Sequence, residues 1–178
     1  MAKYRYSDQN AKKEHTARAV AIDMPVSFKQ AVEVSSFIRG KSLDKAIAVL
    51  GLVRELKLAV PFRRFNRGGV GNKGKLGPAR YPKKTAAGFI TLLKGVKANA
   101  EQANLDADSL IISHIAVKTP AKRIHYGRKK SREFKGAHVE VIVEEPAEKK
   151  KQEKPAKSVK KEPATKSVAT KKPAADAQ

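Results

Sequence analysis

The chain has no cysteine and four histidines, His15, His114, His125 and His138. No pair of histidines shows a His-x-x-x-His or His-Glu-x-x-His spacing, and no thiol is present to join them, so a metal site is not expected. No nucleophile stands in a recognisable relation to a base, so an enzyme with a catalytic constellation or a cofactor is not expected either. The stretch Gly68-Gly69-Val70-Gly71-Asn72-Lys73-Gly74 looks at first like a phosphate loop. It lacks the Gly-Lys-Ser/Thr ending, however, and it follows an expected helix where a nucleotide loop follows a strand. What remains is cationic chemistry. Between Phe62 and Lys84 stand Arg63, Arg64, Arg67, Lys73, Lys75, Arg80, Lys83 and Lys84, without one acid. Guanidinium forks bridge phosphate oxygens, and glycines let backbone amides approach a sugar-phosphate chain. Phe62, Phe65 and Tyr81, interleaved with these charges, have the form of stacking platforms for unpaired bases, although Phe62 adjoins a helix and is better suited to anchoring the loop.

A second basic segment lies between two runs that read as strands, Ser109 to Lys118 and Ala137 to Glu144. There Lys122, Arg123, Arg128, Lys129, Lys130, Arg132 and Lys135 face a single acid, Glu133. Connections in compact domains are usually about 4–6 residues long, so a longer one is commonly functional or disordered. Cations at this density do not enter a core, because removing them from water without partners costs too much. Their partner lies outside the chain. The whole sequence agrees: 39 Lys plus Arg against 17 Asp plus Glu give a net charge of +22 over 178 residues. A nucleic acid is the leading partner for such a balance. No apolar run is long enough to span a bilayer and no secretory signal is legible, so a cytosolic location is expected.

These residues must be held by ordinary elements. Ala17 to Asp23 reads as a strand. Ser27 and Gln30 match a capping box, so a helix is expected from Phe28, with Phe28, Ala31, Val32, Ser35 and Ile38 on its apolar face and Gly40 ending it. A second helix after Ser42 carries Ala46, Val49, Val53, Leu56 and Val60, with Pro61 as its stop. A third is expected from Pro82 to about Asn104, weakened by roughly 1 kcal/mol each by Gly88 and Gly95 unless close packing explains them. The late strands place Ile111, Ile115 and Val117, and then Val139, Val141 and Val143, on single sides. His114 and His138 are expected as a cross-strand polar pair. The order β, α, α, α, β, β predicts an α+β fold in which helices cover one face of an antiparallel sheet. From Pro146 onward Lys, Ala, Pro, Glu, Ser and Thr dominate with almost nothing to bury, which predicts a body of residues 1–145 and a disordered tail of 146–178.

Taken in order, Tyr4-Arg5-Tyr6-Ser7, Val60-Pro61-Phe62-Arg63-Arg64-Phe65-Asn66, Gly69-Val70-Gly71, Arg80-Tyr81-Pro82-Lys83-Lys84, Asn99-Ala100-Glu101, Leu105-Asp106-Ala107-Asp108-Ser109-Leu110, His114-Ile115 and His138-Val139-Glu140-Val141 resemble the archaeal and eukaryotic branch of universal large-subunit ribosomal protein twenty-two. In eukaryotes that family is called large-subunit protein seventeen. The resemblance implies three helices packed on a small antiparallel sheet, with a long projecting β-hairpin. It implies a non-enzymatic constituent of the large ribosomal subunit that binds 23S-type ribosomal RNA, supports assembly, sits near the tunnel exit and touches neighbouring ribosomal proteins. The hairpin, carried onto residues 111–143, would line the nascent-peptide tunnel with a tip formed by Arg123, Ile124, His125, Tyr126, Gly127 and Arg128. At about nine residues per arm and roughly 3.3 Å per residue, continuous pairing gives a reach on the order of 30 Å. On the residues alone, a DNA-architectural protein and, less readily, an RNA-modifying enzyme are the competing readings.

Overall fold

The computed structural model describes residues 4–8, 15–67, 70–72 and 76–146, with only the backbone path at 70–72. Lys73 and Lys75, and the Lys/Ala/Pro-rich stretch 147–178, lie outside the described residues. The chain divides into two units, Met1–Ala147 and Glu148–Gln178.

The order of the elements in the first unit is β1 (Thr16–Met24), α1 (Phe28–Ile38), α2 (Leu43–Arg54), β2 (Val60–Pro61), β3 (Val70–Asn72), β4 (Gly77–Arg80), α3 (Lys83–Gln102), β5 (Ile111–Lys118) and β6 (Ala137–Glu144). The main sheet is antiparallel in the order β1-β6-β5. Its central strand β6 turns Val139, Val141 and Val143 into a core shared with Phe89, Leu93 and Val96 of α3 and with Val34 and Ile38 of α1. The α+β fold expected from the sequence is the observed one.

Four local features depart from expectation. The capping box does not form: Ser27 is the N-cap of α1 but makes no side-chain cap bond, and the Gln30 amide oxygen instead accepts from the Thr85 hydroxyl at 3.1 Å. Helix α2 stops at Arg54 rather than running to Val60. Leu56 adopts a left-handed φ of 66°, and the Lys57 N–H reaches back to the Leu52 carbonyl at 2.9 Å, a Schellman closure with leucine where glycine is usual. Val60 and Pro61, freed from the helix, pair with Arg80 and Ala79, and β3 joins the same strand β4 to make a second small sheet from the glycine-rich region. Finally, the register of β5 shifts between Ile112 and His114. The bulge brings Ile112 and Ile115 into the core and leaves Ile111 exposed.

Candidate nucleic-acid interface

The acid-free loop is organised by an acid from elsewhere. Glu33 of α1 is only 3 % exposed, and its carboxylate accepts the backbone N–H groups of Arg63, Arg64 and Phe65 at 3.1, 2.8 and 2.7 Å. Three amide dipoles converging on one carboxylate keep a buried charge in a protein interior and fold the chain around it. The side chains of Arg63 and Arg64 are thereby left on the surface, while Phe62 is buried and anchors the loop. Phe65 is half-buried, with the Lys29 ammonium and the Arg64 guanidinium 5.7 and 5.5 Å from its ring centre. Arg80 lies 5.4 Å over the Phe62 ring and donates to the Arg67 carbonyl. Tyr81 is exposed and available for stacking.

Lys83 and Lys84 occupy the first turn of α3, and Lys29 that of α1; neither turn contains an acid. Cations at a helix N-terminus oppose the helix dipole by a few tenths of a kcal/mol or more. The arrangement suits an anion that binds both the helix starts and the cations.

In the arm, the ladder of β5 and β6 ends at Lys118 opposite His138. Pairing resumes further out, where Ile124 bridges Glu133, the His125 N–H donates to the Arg132 carbonyl at 3.0 Å and the Phe134 N–H to the Arg123 carbonyl at 2.8 Å. The hairpin is therefore interrupted rather than one continuous ladder, with Pro120, which has no N–H to donate, inside the gap. His125 stacks on Phe134 with ring centres 3.6 Å apart. A 3-10 turn over Gly127–Lys129 closes the tip, with Gly127 at a φ of 65°. Tyr126 is 91 % exposed.

The arm's cations fall into two sets. Lys122 pairs with Glu133 at 3.1 Å, and Arg123 pairs with Asp23 of β1 at 3.2 Å. Arg123, expected at the tip and in RNA binding, thus ties the arm to the sheet. Arg128, Lys129, Lys130, Arg132 and Lys135 make no ion pair among the described residues and are exposed. They and the 62–84 loop carry the unneutralised charge.

Several positioning residues escape a reading of the sequence. Glu33 is one, since nothing in a helical acid announces that it will collect amides thirty residues away. Glu140, 1 % exposed on β6, is another: it accepts from the Tyr4 hydroxyl at 3.0 Å, the Ser7 N–H at 3.2 Å and the Lys118 ammonium at 3.3 Å, which straps residues 4–8 onto the sheet. Burial and the Glu140 bond together raise the Tyr4 phenol above its ordinary pKa. His114 faces the same carboxylate at 3.7 Å, whereas His138 accepts the Asp23 N–H at 2.9 Å. The two histidines are not a pair. Lys41, whose ammonium sits 3.8 Å over the Phe37 ring, has its pKa lowered by burial.

Residues 19–144 match the family model described as Ribosomal protein L22p/L17e. The chain belongs to that family. Among its relatives, Large ribosomal subunit protein uL22A of Schizosaccharomyces pombe is 41% identical over 154 residues, spanning 81% of this chain and 82% of the relative. The uL22 protein of the archaeon Ignicoccus hospitalis is 38% identical over 158 residues, spanning 82% of this chain and 99% of its own length. That of Methanoculleus marisnigri is 43% identical over 108 residues, spanning 60% and 71%. Relatives in both groups put the chain in the archaeal and eukaryotic branch of the L22p/L17e family, whose members are structural ribosomal proteins and not enzymes. No described helix is long and apolar enough to cross a membrane, and no group of described side chains is arranged to hold a metal ion.

Proposed function

We propose that this chain is a structural constituent of the cytoplasmic large ribosomal subunit. It binds 23S-type ribosomal RNA through the 62–84 loop, the α3 start and the arm, and presents the arm tip to the nascent-peptide tunnel. The observation that carries the RNA-binding part is the separation of charge. The exposed cations Arg63, Arg64, Lys83, Lys84, Arg128, Lys129, Lys130 and Arg132 have no acidic partner among the described residues, while buried Glu33 shapes the loop that displays several of them. A surface that holds like charges together in water is stabilised when polyanion phosphates release their counterions to it. Lys73 and Lys75, outside the described residues, belong to the same reading by their place in the loop.

The tunnel assignment rests on the arm: a hairpin alone is marginal in water, so RNA walls suit it as the support that orders its tip. Sedimentation of cell extracts tests the first part, with the protein expected to travel with the large subunit after DNase treatment. Excision of residues 122–132 tests the second. The shortened protein should still enter large subunits through its body, because shortening a loop adds little closure cost. Crosslinks from a stalled nascent chain to wild-type Tyr126 or Arg128 should disappear in it. A wild-type tip that never crosslinks would reduce the arm to an RNA clamp.

A further inference from the structure

The two basic segments meet in one cleft. Lys29 from the first turn of α1, Arg64 and Arg67 from the loop, Arg80 from β4 and Lys135 from the root of the arm line a concavity of ≈ 460 Å³ that has no carboxylate among its described lining residues. Its size falls in the range of about 300–1,000 Å³ typical of pockets that hold a small ligand. Three of the five cations are held in place. Phe65 holds Lys29 and Arg64 against its ring, and Arg80 is fixed over Phe62 and bonded to the Arg67 carbonyl. The Arg80 Nε is buried and has no partner among the described residues. Ser27 lines the same cleft as the N-cap of α1 and makes no side-chain cap bond, and Gln30, the other half of the expected capping box, is held by Thr85. Uncapped first-turn amides, a helix dipole and five cations, three of them held by the rings and the Arg67 carbonyl, make a concave anion site.

We propose that this cleft is a phosphate clamp for single-stranded RNA at a sharp backbone turn, with Lys135 bringing the arm root into the same clamp. The proposal rests on the reading of the chain as an RNA-binding ribosomal protein and narrows it to one site and one RNA conformation. A concavity of this size receives a folded-back phosphodiester and its nucleotide; the evenly spaced phosphates of a duplex track along a surface instead. Because α1, the loop, β4 and the arm each supply a wall, a seated phosphate ties the arm root to the body.

The test uses the full chain, a short oligouridylate and an RNA duplex of equal length, with binding followed by fluorescence anisotropy across a salt series. The double variant Lys29→Ala/Lys135→Ala is compared with Lys45→Ala/Lys94→Ala, which removes equal charge from exposed positions on α2 and α3. The cleft variant should lose roughly tenfold in oligouridylate affinity, and its slope of log affinity against log salt should fall by about 1.4, near 0.7 per lost single-strand contact. The control should change by less than about threefold. Without RNA the cleft variant should melt close to the wild type, since the relief of like-charge repulsion at two exposed positions offsets the loss of the Lys29 contact with the Phe65 ring. If it does melt lower, Lys29→Gln/Lys135→Gln replaces it in the same comparison. In the wild type, oligouridylate should slow hydrogen exchange at the amides around Ala137, and in the cleft variant it should not. Equal losses in the two pairs, or a duplex bound as well as the single strand, would overturn the clamp and leave RNA binding standing. A wild type that binds neither oligonucleotide nor large-subunit RNA in a salt-dependent way would overturn the broader reading itself.

Discussion

Glu33 is the residue on which the displayed arginines depend. Its carboxylate accepts three consecutive backbone amides of a loop that contains no acid of its own. Replacement by alanine leaves those donors to water or to nothing. A charge-assisted bond contributes about 1.5–3 kcal/mol and a buried unsatisfied group costs about 1–3 kcal/mol, so Glu33→Ala should lose roughly 2–4 kcal/mol in denaturant unfolding. Glu33→Gln should recover part of this, because the amide retains one acceptor oxygen, while turning an NH2 group toward other donors. A loss below about 0.5 kcal/mol, the size of an ordinary surface substitution, would show that the loop does not need the carboxylate.

At the scale of the elements, α3 separates its two glycines. A methyl group built on Gly88 would stand 2.7 Å from the Met24 sulfur, whereas one on Gly95 meets nothing within 4 Å. Gly88 is therefore explained by the close approach of a β1 side chain, and Gly95 is a propensity cost without compensation. Gly95→Ala should raise stability by about 1 kcal/mol, a gain of a few degrees in Tm. Gly88→Ala should gain less or lose stability, because Met24 has to move aside. Thermal melts of the two variants measure the difference, and equal gains would mean that Met24 yields freely. Both Gly88 and Gly95 are visible in the sequence, but only packing distinguishes them.

For the whole molecule, a net charge of +22 stores repulsion that folding concentrates. Raising ionic strength shortens the screening length from about 30 Å at 0.01 M to about 8 Å at 0.15 M. The isolated chain should therefore melt several degrees higher at the upper salt, while its affinity for ribosomal RNA falls over the same range. Calorimetry and binding isotherms on one salt series check the opposed trends. A Tm that falls with added salt would show that attractive pairs such as Asp23 with Arg123 and Glu140 with Lys118 outweigh the repulsion.

The sequence by itself determined the helices, the main strands, the cation-rich loop and the arm. These depend on local period, on proline and glycine punctuation and on composition, all of which are properties of neighbours in the chain. The end of α3 near Asn104 was legible for that reason; the closure at Leu56 was not, because leucine carries no signal for a left-handed φ. The β5 bulge, the small sheet around β4 and the diverted capping box were decided by tertiary structure, where pairing with β6, pairing with Arg80 and the Thr85 hydroxyl outweighed local preference. So was the site. Glu33 with the 63–65 amides and Asp23 with Arg123 are contacts between residues distant in sequence, Lys29 and Lys135 reach one cleft from equally distant places, and such arrangements exist only once the fold has brought the groups together.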